Sequence, residues 1–344
     1  MPVAIVTSSE YLKHDFPNHP ENAARLRAVE VALDSPALGL RDFLIHLSPQ
    51  GATEKQISVV HTPAYITALR QAMHEAPAYV DSAPTYIVPE SYEVACLAAG
   101  GAIRAVDAVL DGEAETAFAL VRPPGHHATP DGPMGFCLFN NIAIAARHAL
   151  TRPGIERVLI VDFDVHHGNG TQDVFYSDPS VLFISSHQSP LYPYTGAAEE
   201  IGEGPGRGHT INLPLPELAG DQAFAQLAAE IIIPAADRFR PNLVLASAGF
   251  DAHWLDPLAR LQLTLRGYER LTRSLLDLAA RHCGGRLVLC LEGGYHLPAL
   301  SGGAVTVVRT LMGETDIPDS LGPAPRPEPD IRPLLRSYKE IHEL

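Results

Sequence analysis

Short apolar runs recur along the chain at Val3 to Thr7, Ala117 to Val121, Val158 to Asp162, Val181 to Ser185, Leu243 to Ser247 and Leu287 to Leu291. Uninterrupted Val/Ile/Leu segments of this kind predict strands buried on both faces, the habit of parallel sheets. Between them, helices are expected over Glu21 to Asp34, Ser91 to Asp111, Ile142 to Leu150, Gln222 to Phe239, Thr264 to Arg281 and Leu300 to Met312. Ser91 is the expected N-cap of the second helix, and Gly100-Gly101 inside it marks close packing. Alternating strands and helices predict an α/β fold: a single open domain with a central, mostly parallel sheet flanked by helices. Long polar or Gly/Pro-rich connections at 122–140, 186–210 and 248–262 follow strand ends, where open α/β sheets bind their ligands. No repeat or linker divides the chain, so residues 1–344 read as one domain, with a proline- and acid-rich surface segment over 317–333.

Composition narrows the class of protein. With 46% hydrophobic residues over 344 positions, the chain can bury a large core. No run of about eighteen apolar residues offers a membrane span. The N-terminal MPVAIVTSSEYLKHD lacks the basic and apolar blocks of a signal peptide, so a cytoplasmic location is expected. Cys96, Cys137, Cys283 and Cys290 are scattered without a C-x-x-C pair, which argues against a disulfide framework or a thiolate metal site. Lys plus Arg number 25 against 40 Asp plus Glu, a net charge of −15 that makes nucleic acid an unfavourable direct partner.

Chemistry enters with VLIVDFDVHHGNG, residues 158–170. Asp162, Asp164 and His166 alternate with apolar residues at a strand end and so would share one face. Buried carboxylates need a partner or a metal, and an imidazole beside them completes an O/N ligand set of the kind zinc accepts. A hydrogen-bonded turn that caps the next helix would account for one such Asp, but not for the cluster. After the run at 117–121 comes RPPGHHATPDGPMGFCLFNN, where two prolines stiffen the approach to His126 and His127, a base and an acid available near neutral pH. SAGFDAHWLDP brings Asp251 to the next rim, completing an Asp164, His166, Asp251 set with a position left open for water. In LEGGYHL, Gly293 and Gly294 let the backbone approach closely, and the Tyr295 hydroxyl could stabilise an oxyanion in the cleft.

With HPENAARL near the N-terminus, the segments RPPGHH, GFCLFNN, DFDVHHGNGTQ, SAGFDAH and LEGGY resemble the histone deacetylase family of the arginase-deacetylase superfamily, in the family's order, from about His19 to about Leu311. The resemblance implies an arginase-deacetylase fold with about eight strands, a zinc ion (Zn2+) at the bottom of a narrow tunnel, and hydrolysis of an N-acetyl amide on an extended amine chain. By residue-for-residue matching, Asp164, His166 and Asp251 would hold zinc. His127 would be the general base and acid, His126 its electrostatic partner, and Tyr295 would polarise the scissile carbonyl. Asp162 would orient His126. It would also hold a structural potassium ion (K+) with Ser185 and main-chain oxygens of Asp164, His166 and Ser186, and a second alkali-metal site would fall around Phe175, Asp178 and Val181. Phe136 and Tyr192 would form the walls of the lysine tunnel, with Gly135 beside them.

The departures from the family pattern are informative too. Asn169 stands where class I members carry Asp, as in class II and many bacterial relatives. His127 then lacks a fully charged partner, and its pKa should lie lower than in Asp-backed sites. Pro84 replaces an Asp that in relatives grips the substrate's backbone amides; Asp81 is a nearby substitute, or the substrate is small. Leu258 occupies the position where polyamine-specific relatives can carry a gatekeeping Glu, and its apolar character favours acyl-lysine over a dicationic polyamine. The expected activity is removal of acetyl or related acyl groups from acyl-lysine in a peptide or protein, or from a small acylated amine. An acetylpolyamine amidohydrolase and a non-catalytic sensor of acylated amines or metal are the alternatives. Iron(II) could use the same ligands, and oligomerisation is left open.

Overall fold

In the computed structural model, which describes residues 2–82 and 84–344, the apolar runs become strands of one parallel sheet. In chain order the strands are β1 (Val3–Val6), β2 (Leu44–Leu47), β3 (Ala78–Tyr79), β4 (Tyr86–Ile87), β5 (Thr116–Ala119), β6 (Val158–Asp162), β7 (Val181–Gln188), β8 (Thr210–Leu215), β9 (Leu243–Ala248) and β10 (Leu287–Leu291). β3 and β4 pair as a small antiparallel hairpin. The other eight form the main sheet in the order β2-β1-β5-β10-β9-β6-β7-β8, with every neighbouring pair parallel. Every residue of β1, β5, β6, β7, β9 and β10 is buried, as the continuous apolar runs require. The two edge strands announce themselves poorly. β2 exposes His46, and β8 carries Pro214, whose missing N–H an edge tolerates.

Helices cover both faces. The expected ones form as Ala23–Leu33, Ser91–Leu110, Asn141–Ala149, Leu265–Cys283 and Leu297–Leu311. The remaining one, over 221–239, contains a π-helical turn at Ala228–Ile232 just before Pro234, where the ring interrupts regular i to i−4 bonding. Ser91 is not the N-cap. The helix starts at Ser91 behind Glu90, and the buried Ser91 hydroxyl instead accepts from the Val88 N–H and meets His14 Nδ1, both at 2.7 Å. Helices Pro63–Ala72, Asn169–Phe175 and Arg332–His342 add to the expected set. Residues 317–331 carry no regular element, yet Ile317 and Ile331 are buried, and the Glu328 carboxylate caps the helix Asp221–Leu227 by accepting from the N–H groups of Gly220, Gln222 and Ala223. Among the described residues, no helix is long and apolar enough to cross a membrane. All four cysteines are free and buried.

The strand order has a direct consequence for the site. β5, β10, β9 and β6 are neighbours in the sheet although β9 and β10 come last in the chain. The loops after their C-terminal ends are those that carry RPPGHH, LEGGY, SAGFD and DVHHG, and they converge on one place.

Candidate active site

β6 ends at Asp162, so Asp164 and His166 lie in the loop beyond it and not on the strand. The shared face inferred from alternation therefore gives way to a division: Asp162 turns to His126, while Asp164 and His166 meet Asp251 from the loop after β9. One ligand atom from each of Asp164, His166 and Asp251 lies within 4.8 Å of the others. His166 Nδ1 is 3.0 Å from Asp164 Oδ1 and 3.3 Å from Asp251 Oδ2. The remaining oxygens are held by backbone, Asp164 Oδ2 by the Gly293 N–H at 2.8 Å and Asp251 Oδ1 by the Val165 N–H at 3.0 Å. A side chain at position 293 is impossible here, since a Cβ would lie 2.0 Å from Asp251 Oδ2.

Charge at this cluster is unbalanced. Burial disfavours a charged His166, yet Asp164 and Asp251 raise its pKa to about 10. Burial and the Asp164 charge push Asp251 up, whereas His126 and His166 hold Asp164 low against its own burial. Asp251 Oδ2 is buried and accepts no well-aligned hydrogen bond, with His166 Nδ1 beside it at 3.3 Å. An orphaned carboxylate oxygen beside an imidazole and a second carboxylate fits a divalent cation, and the mixed O/N donor set suits zinc.

The adjacent histidines are treated differently. Their rings are 4.0 Å apart. His126 Nδ1 lies 3.0 Å from Asp162 Oδ2; burial opposes its charge, but Asp162 and then Asp164 prevail and raise it to about 10. Asp162 itself is pushed up to about 6 by burial, against the pull of His126. His127 Nδ1 lies 2.7 Å from Asn169 Oδ1, an oxygen that can only accept, so Nδ1 carries the proton and Nε2 keeps its lone pair. Burial, then the charges of His126 and His166, hold the His127 pKa well below the usual histidine range.

Aromatic rings wall the space. Phe136 and Tyr295 meet edge to face at 5.8 Å, and the Tyr192 ring stands 5.2 Å from His127 and 6.3 Å from His166. Gly135 has φ +56, and a Cβ there would strike the His127 ring at 2.3 Å. Gly294 presents its carbonyl to Arg25 Nε at 2.7 Å, and the Arg25 guanidinium lies 4.9 Å from the Tyr295 ring centroid. Burial, with Arg25 opposing and Asp251 adding, keeps the Tyr295 hydroxyl protonated and able to donate. Leu258 is 37% exposed, and its N–H donates to Asp256 at 3.0 Å. Asp81 accepts from both the N–H and the hydroxyl of Thr85, at 2.6 and 2.7 Å, and Thr85 in turn accepts from the Phe136 N–H at 2.8 Å. Asp81 thus braces, through Thr85, the backbone at Phe136. The Pro84 carbonyl bonds His19 Nε2 at 3.1 Å.

The residues matched to alkali-metal sites fall in two places. Ser185 pairs with Asp162 across β6 and β7, and the Ser186 hydroxyl donates to the Asp162 carbonyl at 3.3 Å. Phe175 ends the helix Asn169–Phe175 and Val181 opens β7; in the turn between them Asp178 is bound by the Ser180 N–H and hydroxyl and paired with Arg147.

Several buried polar residues at the site escaped the sequence reading. Glu292, 0% exposed, accepts from the N–H groups of Gly125 and His126 at 2.7 and 3.1 Å and so fixes the turn that presents both histidines; burial raises its pKa to about 7. Its signal was visible in LEGGY, an acid closing an apolar strand just as Asp162 does. Glu21 binds Arg122 at 2.5 Å and Arg25 at 3.1 Å, all three fully buried. Asp256 accepts from the Tyr295 and His296 N–H groups at 2.7 and 3.1 Å and so positions Tyr295.

A parallel α/β sheet whose C-terminal edge gathers a carboxylate-imidazole-carboxylate set, an uncharged histidine and a protonated tyrosine has the equipment of an amide hydrolase. The histone deacetylase domain matches residues 19–311, and the chain belongs to that family of hydrolases. Histone deacetylase 14, chloroplastic, of Arabidopsis thaliana is 43% identical over 356 residues, covering 98% of this chain and 84% of that protein. A probable deacetylase of Archaeoglobus fulgidus is 45% identical over 296 residues, 86% of this chain and 82% of its own. Among solved structures, the crystal structure of the HDA15 HD domain is similar with a TM-score of 0.88 at 36% identity, covering 99% of this chain and 95% of that one.

Proposed function

We propose that residues 1–344 act as one domain, a zinc-dependent deacetylase that removes acetyl or related acyl groups from the side-chain amine of acyl-lysine. The observation that carries this reading is the orphaned Asp251 Oδ2 inside the Asp164, His166, Asp251 set, next to a histidine whose free Nε2 suits it to act as a base. Zinc held by those three residues supplies Lewis-acid activation of water and of the scissile carbonyl near neutral pH. His127, oriented through Nδ1 by Asn169, takes a proton at Nε2 from the attacking water and returns it to the departing amine. Tyr295 donates its hydroxyl proton as a hydrogen bond to the oxyanion. His126, paired with Asp162, keeps a positive charge beside the developing negative one. Asp162, Ser185 and main-chain oxygens of Asp164, His166 and Ser186 would hold potassium behind the site, and the stretch around Phe175, Asp178 and Val181 a second ion.

Leu258, apolar and partly exposed, favours the aliphatic stem of lysine over a second ammonium group. The commitment of Asp81 to Thr85 favours, as a second reading, a small acylated amine that needs no backbone clamp. The test is a panel of acyl-lysine peptides and acetylated polyamines on enzyme first stripped of metal and then reloaded with zinc. Acyl-lysine should turn over fastest, with loss on chelation and recovery on zinc addition. Faster turnover of acetylspermidine would reassign the substrate, and full activity without metal would overturn the mechanism.

A further inference from the structure

A cavity of about 670 Å³ lies at the opposite edge of the sheet, between the start of β7, the loop before β8, the helix Ile233–Phe239 and the end of the helix Arg332–His342. Its polar lining is basic: Arg157, Arg207, Arg238, His209 and His342, against a single acid, Glu343. That is a local reversal in a chain with 40 acidic and 25 basic residues.

Several arginines elsewhere sit on carboxylates, as in Arg104 with Glu113, Arg152 with Asp107, Arg281 with Asp237 and Arg309 with Glu314. Around this cavity the pairing is weaker. Arg207 has no side-chain partner among the described residues. Arg238 donates only to the carbonyls of His342 and Glu343, at 3.1 and 3.4 Å. Arg157 donates to the Arg240 carbonyl at 2.9 Å, and its ion-pair partner, the largely exposed Glu156, stands 3.8 Å away. His342 is 6% exposed, and its Nε2, like His209 Nδ1, is buried without a hydrogen-bond partner.

Guanidinium groups without a close carboxylate, beside ring nitrogens without a hydrogen-bond partner, leave donors around one space that an anion can accept from. Guanidinium forks match phosphate oxygens, and several of them around one space suit a dianion better than a lone carboxylate. An inorganic ion would leave most of the volume empty, since sites for small molecules run from about 300 to 1,000 Å³. The apolar part of the wall, Leu182, Phe239 and Ile341, offers a surface for an organic body. We propose that this cavity binds an organic phosphate ester, its dianionic head held by Arg157, Arg207 and Arg238 and its body lying on Leu182, Phe239 and Ile341. Because the lining joins the C-terminal helix to the sheet, occupancy tightens that helix. The site is independent of the deacetylase reading.

The experiment is calorimetric titration of the full chain with AMP, inorganic phosphate and adenosine, with hydrogen exchange over 332–342 as a second readout. AMP should bind saturably and more tightly than phosphate, adenosine should not bind, and exchange in the C-terminal helix should slow with AMP. Arg207→Gln removes an exposed group with no partner, so the fold persists, checked by circular dichroism, while AMP affinity falls about tenfold. Absence of saturable AMP binding at millimolar concentration would overturn the proposal, as would AMP binding unaffected by Arg207→Gln and Arg157→Gln or equalled by adenosine. Phosphate binding as tightly as AMP would overturn the ester assignment.

Discussion

Where β5, β10, β9 and β6 end, charged side chains are buried and held by named partners; where β7 and β8 begin, arginines stand around an open cavity with carbonyls, one distant and exposed carboxylate, or no side-chain partner among the described residues. Glu21 shows the first condition. It is fully buried, yet Arg122 and then Arg25 outweigh the cost of burial and bring its pKa down to about 2. Arg207 shows the second, exposed and without a side-chain partner among the described residues. The contrast separates two uses of charge. Buried ions fix geometry, and removing one partner leaves another stranded at a cost of about 3–5 kcal/mol. Exposed ones leave folding nearly indifferent and are free to meet a ligand.

The largest effects should follow from breaking the buried edge. Asp251→Ala removes the orphaned oxygen and leaves Asp164 and His166 short of a ligand, so both bound zinc and turnover should fall to background. Metal analysis checks this, and zinc retained at full stoichiometry would take Asp251 out of the ligand set. Tyr295→Phe keeps the ring between Phe136 and Arg25 but loses the donor. Metal content should stay and kcat on acetyl-lysine should drop by about 10²- to 10³-fold; undiminished turnover would dismiss the oxyanion role.

Glu21→Gln tests folding and not chemistry. It leaves Arg122 and Arg25 buried without their carboxylate, and urea unfolding should show a loss of about 3–5 kcal/mol at neutral pH. The folded pKa of about 2 lies below the unfolded value of about 4.3, so the carboxylate's contribution is present above pH 4.3 and is lost as pH falls toward 2. Wild type and variant should therefore converge in stability over that window. Parallel curves down to pH 2 would show that the carboxylate's charge is not what stabilises the network.

Much of this architecture was legible because buried parallel strands are written as apolar runs, and β6 even carries its chemistry at the end of one. The edge strands were not legible, since an edge need not be apolar: β2 exposes His46 and β8 contains Pro214. The helix Asn169–Phe175 is short and starts from Gly168 with no side-chain cap, so neither length nor capping gave it away. At the site, the structure brings together the residues that the sequence reading named on recognisable segments, whereas the charges that support them were not named. Arg25 lies only four residues from Glu21, but Arg122 reaches the same carboxylate from 101 residues away, and Glu292 reaches the turn at Gly125 from the far end of the sequence. Pairings over such separations depend on strand order, which puts β10 beside β5, and no local pattern encodes them.

The smallest change gives the sharpest comparison, because it lies between two histidines in one turn. His126 has an aspartate behind it and stays charged, while His127 has an amide behind it and stays neutral. Asn169→Asp would place a carboxylate behind both. An anion accepting from Nδ1 favours imidazolium, so the His127 pKa should rise by about one unit or more, within the range that an adjacent opposite charge produces. If neutral His127 is the base, raising its pKa keeps it protonated to higher pH, and the acid limb of the kcat/KM profile should move upward while metal content stays constant. Turnover should fall most at low pH and approach the wild-type value once pH exceeds the new pKa. An acid limb that does not move would mean that another group controls it, and the amide at Asn169 would then hold His127 in place without setting its protonation.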